Sequence, residues 1–237
     1  MKRPCPLALS SIAMFSVVAI MLGFAPRTDD TPATRQGMPY PLTTCIVSGE
    51  ALGEDPAVVI LSGQKNEADN GREVKFCCGG CAGRFAKDPA TFLAKLNAEI
   101  VKAELPLYPA VMCPVMPEEA LPSATGPDAD EAKNVVYQNR LVRLCCGKCV
   151  RRFNQSPAKY LEALDRMIVA EGSKNYPLTT CPISGRPLGD DPVDVIAANR
   201  LVRVCCKGCA AKVEAEPMKY AGIVVAAGKA ATDSSSD

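Results

Sequence analysis

The chain contains no histidine. That absence removes the commonest general base, every Ser-His-Asp or Cys-His catalytic arrangement, and every mixed Cys/His zinc site. Tryptophan is also missing, and only 5% of the residues are aromatic, although an apolar fraction of 48% is adequate for folding. There is no excess of charge of either sign. The formal net charge is +1, with acidic and basic residues interspersed, which argues against a strongly electrostatic partner such as a nucleic-acid backbone. The expectation is a protein that is not an enzyme and does not bind nucleic acid. Any metal would have to be held mainly by sulfur.

Cysteine is what the chain has in quantity: thirteen in 237 residues. Their placement repeats. "YPLTTCIVSG" starts at Tyr40, "YPAVMCPVMP" at Tyr108 and "YPLTTCPISG" at Tyr176, a spacing of 68 residues both times. Downstream follow "CCGGCAGRFAKDP" from Cys77, "CCGKCVRRFNQSP" from Cys145 and "CCKGCAAKVEAEP" from Cys205. The first two of these blocks are 68 residues apart and the last two 60, so the third unit is shorter inside. Each unit carries four cysteines, leaving only Cys5 over. The expected boundaries are residues 38–104, 106–172 and 174–229 for the three units, with a disordered tail over 230–237.

The N-terminus has the pattern of an export signal. A basic leader, "MKRPC", precedes a nineteen-residue apolar run from Leu7 to Ala25. That length lies at the boundary between a cleaved signal and a membrane-spanning anchor. Residues 1–27 are therefore expected to be one or the other. Lys2 and Arg3 favour the orientation that places the bulk of the chain outside the cytoplasm, periplasmic or secreted.

Within each unit a hairpin is expected before the double cysteine. Gly71, Asn139 or Asn199 stands six residues ahead of it, and these residues most readily take positive φ in a tight turn. Apolar runs flank the turn: "AVVIL", "VVY" or "VDVI" before it and "REVKF", "RLVRL" or "RLVRV" after it. Val74 and Phe76, Val142 and Leu144, and Val202 and Val204 would share one buried face at strand period two. After the third cysteine the pattern becomes helical. "CVRRF" offers one turn, and Asp88-Pro89, Ser156-Pro157 and Glu216-Pro217 resemble N-caps followed by a first-turn proline. Tyr160, Leu161, Leu164, Met167 and Ile168 recur at helical spacing, as do Phe92, Leu93, Leu96 and Ile100.

A unit of about 60 residues is near the lower limit for folding on a hydrophobic core alone. A short-spaced cysteine pair on a turn, with a distant cysteine, packed against a helix, is how treble-clef and zinc-ribbon sites are assembled. The helix N-terminus and the nearby Arg143, Lys148, Arg151, Arg203 and Lys207 would favour deprotonated sulfur.

The blocks "FCCGGCAGRFAKDPATFL" and "LCCGKCVRRFNQSPAKYL" resemble the second half of TRASH and YHS domains, small treble-clef-like modules. Cys77 and Cys81, Cys145 and Cys149, and Cys205 and Cys209 match the family's Cys-x3-Cys, and Cys45, Cys113 and Cys181 match its leading cysteine. The resemblance spans residues 38–224. It implies an α+β fold of three tandem small treble-clef-like modules, each a cysteine knuckle, a hairpin and a C-terminal helix. It also implies metal binding in sensing, trafficking or resistance to copper and other heavy metals. The spacer between leading cysteine and pair is 31 residues in units one and two and 23 in unit three, and Val213 replaces the family's Phe. A tetrahedral site needs a fourth ligand, a role open to Cys78, Cys146 and Cys206. Ser48 and Ser184 stand where a zinc knuckle has its second cysteine. Met116, a soft thioether suited to Cu(I) or to filling a gap, takes that place in unit two.

The expected function is metal binding by an exported, non-enzymatic protein, with about one Zn(II) or Cu(I) per unit. The expected partners are metal ions and another extracytoplasmic or membrane protein. Two other uses of the cysteines stay open: a disulfide-stapled interaction module and a thiol redox protein.

Overall fold

A computed structural model describes residues 35–124 and 126–233. The expected signal or anchor, residues 1–27, lies outside these residues. The described chain is mixed α and β, and one pattern occurs three times: knuckle, two-stranded antiparallel hairpin, short helix, long helix.

The knuckles close on their own backbones. Cys45 N–H donates to Glu50 O (2.7 Å) and Gly49 N–H donates back to Cys45 O (2.7 Å). Cys181 and Arg186 repeat the arrangement, with Gly185 in the place of Gly49. Both glycines have positive φ, which permits so tight a return. The second knuckle is one residue longer, pairing Cys113 N–H with Glu119 O at 2.9 Å.

The hairpins are β1 (Ala57–Ile60) with β2 (Glu73–Phe76), β3 (Lys133–Tyr137) with β4 (Arg140–Leu144), and β5 (Val193–Ala197) with β6 (Arg200–Val204). The second and third turn through two residues, Gln138-Asn139 and Ala198-Asn199, all four at positive φ. Two left-handed residues in a row match the twist of the flanking strands. The expected turn asparagines are in place, and Gln138 and Ala198 share their strained conformation. Hairpin one instead carries a loop with a turn of 3-10 helix at Glu67–Asp69 and returns through Gly71, whose φ is 71°.

Helices α1 (Gly79–Lys87), α3 (Gly147–Gln155) and α5 (Lys207–Ala215) start at the cysteine clusters. They run nine residues each, longer than the single turn expected from "CVRRF". They break at Asp88, Ser156 and Glu216, because a following proline disfavours the helical conformation of the residue before it. Asp88 caps α2 (Pro89–Glu104) by accepting from Thr91 N–H. Ser156 forms no side-chain cap on α4 (Pro157–Lys174), so proline alone sets that boundary. Helix α6 (Pro217–Asp233) runs four residues into the expected tail, where the alanine-rich sequence favours helix.

Val74 and Phe76, Val142 and Leu144, and Val202 and Val204 are all buried, as their period implied. One buried face per hairpin is nevertheless too few. Leu141 and Leu201, on the opposite face, are buried as well. They are covered by the long helix of the preceding module: α2 packs on β3 and β4, and α4 on β5 and β6. Leu96 and Ile100 thus share a core with Val74 and Phe76 of their own module and with Val136 and Leu141 of the next. Leu164 and Ile168 share one with Val142, Leu144 and Leu201. Gly172 lets α4 approach closely, since a Cβ there would stand 3.0 Å from Leu201 Cβ. Among the described residues no helix precedes module one, and its equivalent of Leu141 is Glu73, which pairs across the hairpin with Ile60 and accepts from Tyr40 N–H.

Buried asparagines lock the modules together. Asn139 Oδ1 accepts from Arg72 Nε (2.6 Å) while its Nδ2 donates to Glu73 O (2.8 Å) and Met38 O (3.3 Å). One module on, Asn199 Oδ1 accepts from Arg140 Nε (2.6 Å), and its Nδ2 donates to Leu141 O (2.8 Å) and Glu104 Oε2 (3.2 Å). Replacing Asn139 or Asn199 with Ala strands these buried groups and removes the short polar side chain that eases left-handed backbone. Each change is expected to cost about 3 kcal/mol in chemical denaturation, and the Gly variants, which keep the backbone conformation at ease, about 1 kcal/mol less.

Candidate metal centre

The junction of strand and helix builds two-thirds of each site. Cys77, Cys145 and Cys205 directly follow the returning strands. The next residue, Cys78, Cys146 or Cys206, has extended backbone, with φ near −160° in each module, and starts the helix. Cys81, Cys149 and Cys209 then lie in the first helical turn, held by N–H bonds to the carbonyl of the second cysteine. This corner brings the first and last sulfurs of each cluster to 3.7, 3.5 and 3.9 Å.

The knuckle supplies the third sulfur. Cys45, Cys77 and Cys81 form one group, Cys113, Cys145 and Cys149 a second, and Cys181, Cys205 and Cys209 a third. Within each group all the sulfurs lie within 4.8 Å of one another. In each triad the leading and last cysteines are buried, and the first of the vicinal pair is half-buried. Two sulfurs bound at about 2.3 Å to one ion are about 3.8 Å apart in tetrahedral and about 4.0 Å apart in trigonal geometry. The observed separations fit both. Three cysteine triads are thus positioned to hold one metal ion each.

The expected fourth candidates, Cys78, Cys146 and Cys206, lie outside the triads. Cys78 and Cys206 are exposed and Cys146 is half-buried. Cys78 Sγ is 4.0 Å from Cys77 Sγ. The Cys149 backbone N–H brings the Cys146 thiol down to about 7, and the corresponding N–H groups of Cys81 and Cys209 lower Cys78 and Cys206.

Burial would push Cys45 upward, but it is outweighed. The backbone N–H groups of Ser48, Cys77 and Val47, with the Ser48 hydroxyl, bring its thiol down to about 6. Cys181 reaches about 6 in the same way, its burial outweighed by the Ser184 hydroxyl and the backbone N–H groups of Cys205, Ser184 and Ile183. Burial and the neighbouring thiols push Cys81 and Cys209 up to about 12. In modules one and three the knuckle therefore supplies a ready thiolate and the helix a thiol. The cations expected to do this are partly engaged elsewhere. Arg143 donates to the carbonyls of Pro122 and Ala129, and Arg203 pairs with Asp194.

Some contributing residues were not recognised from sequence. Ser48 and Ser184, noted there only as missing cysteines, place their hydroxyls 3.3 Å from Cys77 Sγ and Cys205 Sγ. The tyrosines that open each repeat tie the knuckle region down. Tyr108 and Tyr176 hydroxyls accept from the N–H groups of Arg143 and Arg203, and Tyr40 donates to Thr44 O. Their constant position ahead of the leading cysteine was the available signal. Met116 is half-buried against the core that contains Cys113 and Cys149.

No known family, characterised protein or solved structure matches this chain.

Metal binding requires deprotonated sulfur. With thiols lowered to about 6, Cys45 and Cys181 are already ionised at about pH 8 and protonated at about pH 5. Loading the metal-free chain is therefore expected to release about two more protons per chain at the lower pH, one from each of these cysteines. Calorimetric titration in buffers of different ionisation enthalpy measures the difference.

Proposed function

We propose that this is an exported, non-enzymatic protein that binds soft or borderline metal ions, Zn(II) or Cu(I), through three cysteine triads, for trafficking, sensing or sequestration. The observation that carries the reading is the threefold recurrence of a thiol triad whose sulfur separations suit one shared ion. The order of knuckle, hairpin and helix, with ligands from the knuckle and the helix N-terminus, supports the likeness to treble-clef modules of the TRASH and YHS type. Thiolate ligands select Zn(II) and Cu(I) over hard cations, and the geometry accommodates either.

The triads also weigh against a disulfide framework. A disulfide joins sulfurs in pairs, whereas here three converge on one point, two of them from buried residues. The absence of histidine and the preassembled thiol cluster favour holding an ion over acid–base catalysis. Export rests on the basic leader and apolar run of residues 1–27; among the described residues no helix is long and apolar enough to cross a membrane.

Elemental analysis of the protein purified under reducing conditions, combined with thiol counting, tests the reading. About three metal ions per chain are expected, falling by about one in each of Cys81→Ser, Cys149→Ser and Cys209→Ser. A chain with its cysteines in disulfides and no bound metal would overturn it.

A further inference from the structure

Each triad has a fourth sulfur beside it that the triad does not use. Cys78, Cys146 and Cys206 occupy the same corner in all three modules, with nearly the same backbone conformation. They stand at helix N-caps, where Ser, Thr, Asp or Asn is the usual choice. A cysteine there three times over is a chemical choice more than a structural one.

Accessibility separates this sulfur from its neighbours in modules one and three, whereas in module two Cys146 is half-buried like Cys145 and is separated from the triad only by lying outside it. In module one the triad sulfurs belong to two buried residues and one half-buried one, whereas Cys78 is exposed yet only 4.0 Å from Cys77 Sγ. Cys206 is likewise exposed, next to a half-buried Cys205. The surface beside the thiol is open: a β-carbon added at Gly79 or Gly147 would meet no atom within 4 Å. In modules one and three a serine hydroxyl lies against the first cysteine of the pair. In module one the half-buried sulfur thus has both a knuckle hydroxyl, at 3.3 Å, and the exposed thiol, at 4.0 Å, as neighbours.

Taking the metal-binding reading as its basis, we propose that Cys78, Cys146 and Cys206 are transfer ligands. Each exchanges into the coordination sphere of its triad and hands the ion to a soft-ligand partner, a protein or peptide that presents a pair of thiols. A three-sulfur site leaves tetrahedral Zn(II) one open position and holds Cu(I) in a trigonal geometry that a fourth sulfur can attack.

The exchange balances without oxidant or reductant. A bond forms between the metal and the Cys78 thiolate as one triad sulfur–metal bond breaks, and the freed triad thiolate takes up the proton that Cys78 lost. The two acceptor thiols then bind as thiolates as the bonds to Cys78 and the other two triad sulfurs break; two of the three released thiolates take the acceptor's two protons, and the third stays ionised or takes a proton from solvent. The metal keeps its oxidation state throughout.

The test compares the full chain with the triple variant Cys78→Ser, Cys146→Ser, Cys206→Ser, in which serine preserves an N-cap and therefore the fold, as circular dichroism checks. Both proteins are loaded anaerobically with Cu(I), and transfer to a Cys-x-x-Cys peptide is followed by stopped-flow spectroscopy. The variant is expected to bind the same number of ions as the parent and to transfer them at least tenfold more slowly. An unchanged transfer rate overturns the proposal. So does a loss of bound metal, because the second cysteines would then be obligatory ligands. If the parent chain itself takes up neither Cu(I) nor Zn(II), the metal-binding reading falls first and this proposal with it.

Discussion

Everything at the candidate sites depends on one backbone corner, the change from strand to helix across two adjacent cysteines. The first cysteine of each pair ends the hairpin, the second keeps an extended conformation, and helix begins at the next residue. A continuous helix would also place residues four apart on one face, but would not feed it from a buried hairpin. A continuous strand would separate the first and third sulfurs by more than one pleat. The corner joins them within 4 Å and turns the N–H groups of the first helical turn toward the sulfur of the second cysteine. The knuckle adds the third sulfur from far away in sequence, and the knuckle serine with nearby backbone N–H groups lowers that thiol to about 6 in modules one and three.

The modules do not fold as beads on a string. Each is about the size at which a hydrophobic core alone is marginal, and each of the first two solves the problem by sharing. The long helix of one module closes both its own hairpin and the next, and the tip asparagine of hairpins two and three bonds an arginine of the module before it, Arg72 just ahead of β2 and Arg140 at the start of β4. A buried asparagine is costly unless all its groups are satisfied, so these contacts specify neighbours as well as stabilising them. Glu73 stands where the later modules have leucine; no described helix packs over that position, and its carboxylate accepts from Tyr40 N–H instead.

Three sites built on one plan are not chemically identical. Serine hydroxyls lie against the first cysteine of the pair in modules one and three, and Met116 takes the same knuckle position in module two, where the knuckle is also one residue longer. The two kinds of rim offer a passing ion different neighbours: a hydroxyl that bonds to sulfur, or a thioether that can itself bind a soft ion.

Much of this could be read from the chain before any coordinates. The 68-residue repeat, the turn asparagines, the buried strand residues Val142, Leu144, Val202 and Val204, and the proline-marked helix starts all follow from local rules of period, φ preference and steric exclusion. So does the choice of which cysteines recur. The burial of Leu141 and Leu201, the arginine–asparagine locks and the separation of nine ligand sulfurs from the three flanking ones appear only in the folded chain. The reason is physical. Sequence records which residues recur, and local backbone chemistry converts that into strands, turns and helices. Which second face becomes buried depends on a neighbouring module, and which sulfurs converge depends on a knuckle distant in sequence; no local pattern describes either.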